Sequence, residues 1–307
     1  PEALRGGRVY LTYTLIGGAI LLAGVAWLRA LAGPLDFTET GLLASRTDLD
    51  SNSLMLIFLL LIVGLGVKAA LVPLHGWLPQ SMVAPAPVSS LLHAVAVVKA
   101  GVFSIFRVVF HILGPETLQA ANLSVIITTL ASVTLLVASL IALTQDSMKR
   151  RLAYSTVGQL SYMVLGAGML SAIGRLGGVM HLAMHAFGKI TLFFCAGAIF
   201  VATGVTSISQ MVGIGKRMPL TMSAFFVGAL SVIGLPPCGG FISKWHLVLG
   251  TVEAGQFLML GILLVSSLLN AAYFLPIVYR AFFCSPSESM FEGPMAEAPT
   301  WCLVPPL

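Results

Sequence analysis

Lys68, Lys99, Lys189 and Lys244 lie inside long apolar runs or at the points where those runs break. The other twelve of the sixteen Lys and Arg residues sit near the ends of such runs. All eleven Asp and Glu residues lie in loops, at run ends or near the termini. A charge at the bilayer centre costs about 2.5–3.5 kcal/mol even on the lenient insertion scale, so such residues persist mainly where they line water or handle protons. Desolvation disfavours the charged form of an amine, and a lysine so placed can load and release a proton near neutral pH. The competing account is snorkelling, in which the ammonium reaches the interface along its stem. It fits Lys68 and Lys244 better than the deeper Lys99 and Lys189.

The histidines extend the pattern. His181, His185 and Lys189 are spaced i, i+4, i+8 and share one helix face. Two histidines at that spacing could ligate a metal, but no carboxylate or cysteine completes the set and the lysine would repel a dication. A proton path or a hydrogen-bonded path is the better reading, with helix–helix hydrogen bonds as its rival. His93 precedes Lys99 by six residues, so the two do not quite share a face. Tyr154, Ser155, Thr156 and Ser161 add hydroxyls that would suit a wetted interior, or that could simply join helices. Cys195, Cys238, Cys284 and Cys302 have no spacing that suits zinc or a redox dithiol, and read as small apolar fillers.

The elements that must position these residues are membrane helices. The chain has 307 residues and only 9% charged residues, against about a quarter in soluble domains; its mean hydropathy is +0.99. Apolar windows predict an all-α polytopic bundle of about eight spans, at 9–31, 54–74, 88–113, 123–143, 152–170, 177–201, 220–249 and 257–282. Two are interrupted. The second runs into Pro73 and Pro79, and the seventh carries Gly234-Leu-Pro236-Pro237-Cys-Gly-Gly240 in its interior. Proline removes a backbone donor and clashes with the preceding turn, so both helices are expected to unwind or kink. Each break lies close to a lysine, Lys68 before Pro73 and Lys244 after Pro237, as ion sites do in transporters built from inverted repeats.

Basic residues orient the bundle. Arg5, Arg8, Lys149, Arg150, Arg151, Lys216, Arg217 and Arg280 collect on one side; Arg29, Arg46, Arg107 and Arg175 collect on the other, with Asp36, Glu39, Asp48 and Asp50. The richer side is expected to be cytoplasmic. The chain begins Pro1-Glu2 without an initiator Met or a signal peptide and stops at Pro305-Pro306-Leu307, so it is expected to be a fragment of a longer protein.

Three stretches carry a specific resemblance. The first is Lys68-Ala-Ala-Leu-Val-Pro-Leu-His75-Gly-Trp77-Leu-Pro79, followed by Ala84-Pro85-Ala-Pro87-Val88-Ser89-Ser90-Leu-Leu-His93. The second is Asp146-Ser-Met-Lys149-Arg150-Arg-Leu-Ala-Tyr154-Ser155-Thr156. The third pairs His181-Leu-Ala-Met-His185-Ala-Phe-Gly-Lys189 with Gly234-Leu-Pro236-Pro237-Cys-Gly-Gly240-Phe-Ile-Ser-Lys244. Together they resemble the proton-conducting antiporter-like family. That family includes Mrp-type sodium/proton antiporter subunits, the antiporter-like subunits of respiratory complex I, and membrane subunits of energy-converting hydrogenases.

The resemblance implies an inverted-repeat fold, of which this chain would be a single transmembrane domain over residues 1–307, about helices six to thirteen of a fourteen-helix core. It implies that Lys68 is the lysine of the first broken helix and Lys244 its counterpart in the second. Lys99 with His93, and Lys189 with His181 and His185, would form the hydrophilic axis between them, and Pro73, Gly234, Pro236 and Pro237 would shape the broken backbone. The family pairs its first broken-helix lysine with a glutamate on the preceding helix, which this stretch does not contain, so the fragment alone is not expected to transport. Partners would be other membrane subunits of the complex, protons, sodium or potassium ions, and the lipid bilayer of the cell inner membrane; no nucleic acid, metal or cofactor is expected in this chain.

Within the family the residues around Lys99 and the pair Lys189/Lys244 look most like a large Mrp-type antiporter subunit or a hydrogenase-type relative. A complex I subunit is the alternative. Either way the chain is not expected to be catalytic by itself, and a label of NADH:quinone oxidoreductase would describe the complex. A transport-inactive scaffold would have no reason to keep four lysines at lipid depth. A small-solute transporter would need a mixed polar pocket that the sequence does not offer, and no phosphate loop, nucleophile elbow or haem or iron–sulfur pattern appears.

Overall fold

The computed structural model describes residues 2–44, 46, 50–285 and 297–303. Asp48, Pro1 and residues 305–307 lie outside the described residues. Nine helical segments build the bundle: α1 Glu2–Ala32, α2 Ser51–Lys68, α3 Ala86–Leu113, α4 Leu123–Thr144, α5 Met148–Gly168, α6 Ala172–Thr203, α7 Pro219–Ile233, α8 Gly239–Glu253 and α9 Phe257–Phe283. Among the described residues there is no strand, only an isolated bridge between Ser147 and Ser207.

Six of these, α1, α2, α3, α4, α6 and α9, are long and apolar enough to cross a membrane. Two of the eight windows differ for physical reasons. The fifth is a 21-residue helix, α5, but it begins Met148-Lys149-Arg150-Arg151 and carries Gln159, Ser161 and Tyr162, which lower its hydropathy. It survives at the centre of the bundle because α4, α6 and α9 shield it; from Ser155 to Gly168 every residue is buried. The seventh is two 15-residue helices, α7 and α8, separated at residues 234–238.

The first break begins where α2 ends at Lys68. Ala70 takes a left-handed conformation at φ 53°, which turns the chain away from the helix axis. The freed backbone groups find partners: Val72 N–H donates to Thr134 Oγ1 at 3.0 Å, and the indole of Trp77 donates to the Val67 carbonyl at 2.8 Å. Non-helical backbone at this depth is tolerable only where protein satisfies it in this way. At the second break Gly234, at φ +88°, closes α7, and its missing side chain matters sterically as well. A Cβ there would stand 2.6 Å from Cδ of Lys244, so glycine leaves the path for the lysine stem.

α3 is not a uniform helix. It opens as Ala86–Ser90, widens to a π turn at Leu91–Val95, and widens again at Val108–Leu113. π turns recur at functional positions in helices, and the first of these carries His93. α6 is the hub, packed against α3, α5, α7 and α8. Glycine allows the tightest of these contacts, since a Cβ at Gly177 would sit 2.7 Å from the Leu247 amide of α8.

Candidate functional site

Three of the four lysines converge on the buried seam of α3, α5, α6 and α8. Each ammonium donates to a main-chain carbonyl. Lys99 of α3 reaches Leu182 of α6 at 2.6 Å, Lys189 of α6 reaches Leu152 of α5 at 3.0 Å, and Lys244 of α8 reaches Ile233, the last residue of α7, at 3.0 Å. Lys189 is fully buried and Lys99 and Lys244 nearly so. The negative end of a helix dipole favours a cation, and Ile233 presents that end to Lys244.

The histidines of α6 lie among these lysines, as their spacing predicts. His181 bridges two helices, with Nδ1 2.8 Å from Ser243 Oγ of α8 and Nε2 2.9 Å from Gln159 Oε1 of α5. His185 lies one turn on, its ring 6.0 Å from His181, and neither of its ring nitrogens has a hydrogen-bond partner although it is buried. A buried polar group without a partner is expensive, and water is the usual remedy in a polar site with room for it. His93 is buried in the π turn, with Nε2 3.4 Å from Ser81 and its ring 5.4 Å from Phe193.

Lys68 stands apart. Its side chain is exposed on the outer surface of α2, while its Cβ and backbone press against Gly101 of α3. The structure therefore brings together Lys99, His181, His185, Lys189 and Lys244, sets His93 at the edge of that group, and leaves Lys68 facing outward. Among the described residues no three His, Cys, Asp or Glu side chains gather as a metal would require.

Several polar residues of this interior are not evident from spacing or hydropathy. Tyr162 of α5 has the Lys244 ammonium 4.3 Å from its ring centroid. Its hydroxyl lies 3.2 Å from Ser267 Oγ and accepts from Asn270 Nδ2 at 3.4 Å. The Tyr273 hydroxyl is shared between Asn270 Oδ1 and Ser155 Oγ, the latter at 2.9 Å. The one signal in the sequence is Asn270, a lone carboxamide in the apolar run of α9. Of the hydroxyls expected to wet the interior, Ser155 joins this ladder, while Thr156 and Ser161 bond back to their own helix at Leu152 and Val157.

The two ends of the bundle carry different charge. At one end a cavity of about 620 Å³ is lined by Arg5, Lys149, Arg150, Gln80 and Tyr154, and abuts the first break. Arg151 is not a solvated charge there; its guanidinium donates to the carbonyls of Gln145 (2.6 Å), Leu143 (3.3 Å) and Tyr273 (2.9 Å), tying α5 to α4 and α9. At the other end Arg107 lies over Phe37, 4.0 Å from the ring centroid, and Arg175 over Phe110 at 5.0 Å.

A bundle of long apolar helices around a buried seam of lysine, histidine and hydroxyl groups is a multi-pass membrane protein with a polar interior. The sequence model of the family described as NADH:quinone oxidoreductase/Mrp antiporter, TM, matches residues 1–270, and the chain belongs to that family. It is 40% identical over 290 residues to NADH-quinone oxidoreductase subunit N of Desulforudis audaxviator, covering 90% of this chain and 56% of that protein. It is 37% identical over 269 residues to NADH-quinone oxidoreductase subunit L of Campylobacter jejuni, covering 86% of this chain and 43% of that one. Among solved structures it superposes on a chain of the Mrp complex from Dietzia with a TM-score of 0.84 at 26% identity, over 96% of this chain and 56% of that one. A chain of the membrane-bound sulfane sulfur reductase, an archaeal respiratory membrane complex, gives 0.85 at 29% identity, over 99% and 61%. The chain thus spans about half the length of the curated relatives it matches. It is a multi-pass protein of the cell inner membrane.

Proposed function

We propose that this chain is the ion-translocating core of one subunit of a multisubunit membrane complex, moving protons, or a monovalent cation against protons, through the buried Lys/His seam. The observation that carries the reading is the geometry of Lys99, Lys189 and Lys244. Three buried ammonium groups rest on main-chain carbonyls, around histidines of which one has no hydrogen-bond partner for either ring nitrogen. A static scaffold would gain nothing from such burial, because the same space filled with leucine would avoid the desolvation.

The translocation residues in this reading are Lys68, His93, Lys99, His181, His185, Lys189 and Lys244. Residues 1–307 form one transmembrane domain, about helices six to thirteen of a fourteen-helix core. The basic end with the 620 Å³ cavity faces the cytoplasm. Lys68, exposed at the first break, then faces the part of the complex outside this chain.

Two versions stand side by side. The residues around Lys99 and the pair Lys189/Lys244 support Mrp-type antiport, whereas 40% identity to an NADH-quinone oxidoreductase subunit supports a redox-driven pump. The test uses the complete protein with its partner subunits in everted vesicles from cells lacking their own antiporters. A respiration-generated pH gradient is followed by dye quenching, then sodium or potassium is added. Dequenching that vanishes in Lys68→Ala identifies cation/proton antiport. Its absence in a correctly assembled complex assigns the chain to redox-driven pumping, and proton pumping that survives both Lys99→Ala and Lys244→Ala would refute translocation through this seam.

A further inference from the structure

Lys244 has no carboxylate beside it, and the Ile233 carbonyl occupies only one of its three N–H groups. We propose that the ring of Tyr162 is the counter-group of the Lys244 ammonium, and that Asn270 and Ser267 are positioning residues that hold the ring over it; this rests on the ion-translocating reading above.

The geometry has three parts. The ammonium nitrogen lies 4.3 Å from the ring centroid, well inside the roughly 6 Å over which an aromatic face attracts a cation, and the pair is almost wholly desolvated, where that attraction is strongest. The ring cannot drift, because its hydroxyl is clasped from α9: Asn270 donates to it at 3.4 Å, and Ser267 Oγ and the Leu263 carbonyl lie at 3.2 and 3.5 Å. Asn270 is fixed in turn, its Oδ1 accepting from Tyr273, which also reaches Ser155.

The same chemistry says that the Tyr162–Asn270–Tyr273 ladder is a clamp and not a wire. A carboxamide does not hand a proton from its NH2 to its carbonyl oxygen without tautomerising. Asn270 therefore separates the Tyr162 hydroxyl from the Tyr273 hydroxyl while holding both in place. Lys189 lies farther from its aromatic neighbour, at 5.5 Å from the centroid of Phe274, so the close pairing belongs to Lys244.

The test grades the electrostatics of the ring while keeping its shape. In the complete protein with its partner subunits, Tyr162→Phe is compared with mono-, di- and trifluorophenylalanine at the same site, each with Lys244 present and in the Lys244→Met background. Thermal stability and ion translocation are both read. The midpoint of unfolding is expected to fall stepwise with each fluorine, by about 2–4 °C over the series, when Lys244 is present, and to stay level in Lys244→Met. Transport is expected to fall about fivefold over the same series. A stability series that is flat, or that has the same slope in both backgrounds, overturns the inference. A graded stability series in a protein that translocates nothing would sustain the pairing and sink the ion-translocating reading. If Tyr162→Phe does not fold, mono- and difluorotyrosine at 162 keep the hydroxyl clasp and give the same comparison.

Discussion

The ammonium of Lys244 donates at 3.0 Å to the carbonyl of Ile233, the residue at which half-helix α7 ends. The lysine thus binds a helix terminus inside the bundle, eleven residues back along the chain, and the break between α7 and α8 is what leaves that terminus free. A helix continued through residues 234–238 would have consumed that carbonyl in its own hydrogen-bond ladder.

If Lys244 cycles between charged and neutral forms, its replacement by a permanent cation should stop transport without stopping assembly. Lys244→Arg in the complete protein is expected to assemble at normal levels and to lose at least about tenfold in transport rate, because a guanidinium keeps its proton. Vesicle transport assays beside a blue-native gel measure both, and wild-type rates from this variant would remove Lys244 from the mechanism.

The unpartnered nitrogens of His185 predict water around the α6 face. Radical footprinting or water-sensitive NMR should report hydration at His181, His185 and Lys189. His185→Leu is expected to dry the site and slow transport, with little loss of stability. A dry, tightly packed face would end the proposal of a path there.

The other end of α7 carries its own charge. The carboxylate of Glu297 accepts from the Leu220 amide at 2.7 Å and the Thr221 hydroxyl at 2.6 Å, capping the first turn. Glu297→Ala should destabilise the protein by about 1 kcal/mol and loosen the segment that follows. Maleimide labelling of the partly buried Cys302 should then accelerate; unchanged labelling would mean that the cap does not hold that segment.

Asp50 caps α2, accepting from the Ser53 amide at 3.2 Å, and its hydrogen bonds to Ser53, side chain first and backbone second, hold its carboxyl below the ordinary value of 3.8. A carboxylate lowered in the folded state contributes its cap above the unfolded value and loses it as pH falls through the folded one. Amide exchange at Ser53 should therefore quicken only in that acidic window, and Asp50→Asn should abolish the dependence. Exchange that ignores acid would mean the cap is not formed.

The apolar runs by themselves determined that the chain is a helical membrane bundle, since only a helix satisfies its backbone in lipid. The prolines and glycines near 73 and 236 determined where two helices break, because their effect on the backbone is local. The i, i+4, i+8 spacing placed His181, His185 and Lys189 on one face for the same local reason. What each lysine meets was decided only by the tertiary structure. Hydropathy could not foresee that α5, polar enough to look unsuited to lipid, is hidden by its neighbours. Nor could spacing foresee that Lys68 points outward while Lys244 turns back to Ile233 and Tyr162. Gln159, Asn270 and Tyr273 are not legible in the same way, because a polar residue in an apolar run shows its burial but not its partner. Those partners come from residues up to 118 positions apart, as in the Tyr273–Ser155 bond, and only the packing of α5 against α9 brings them within reach.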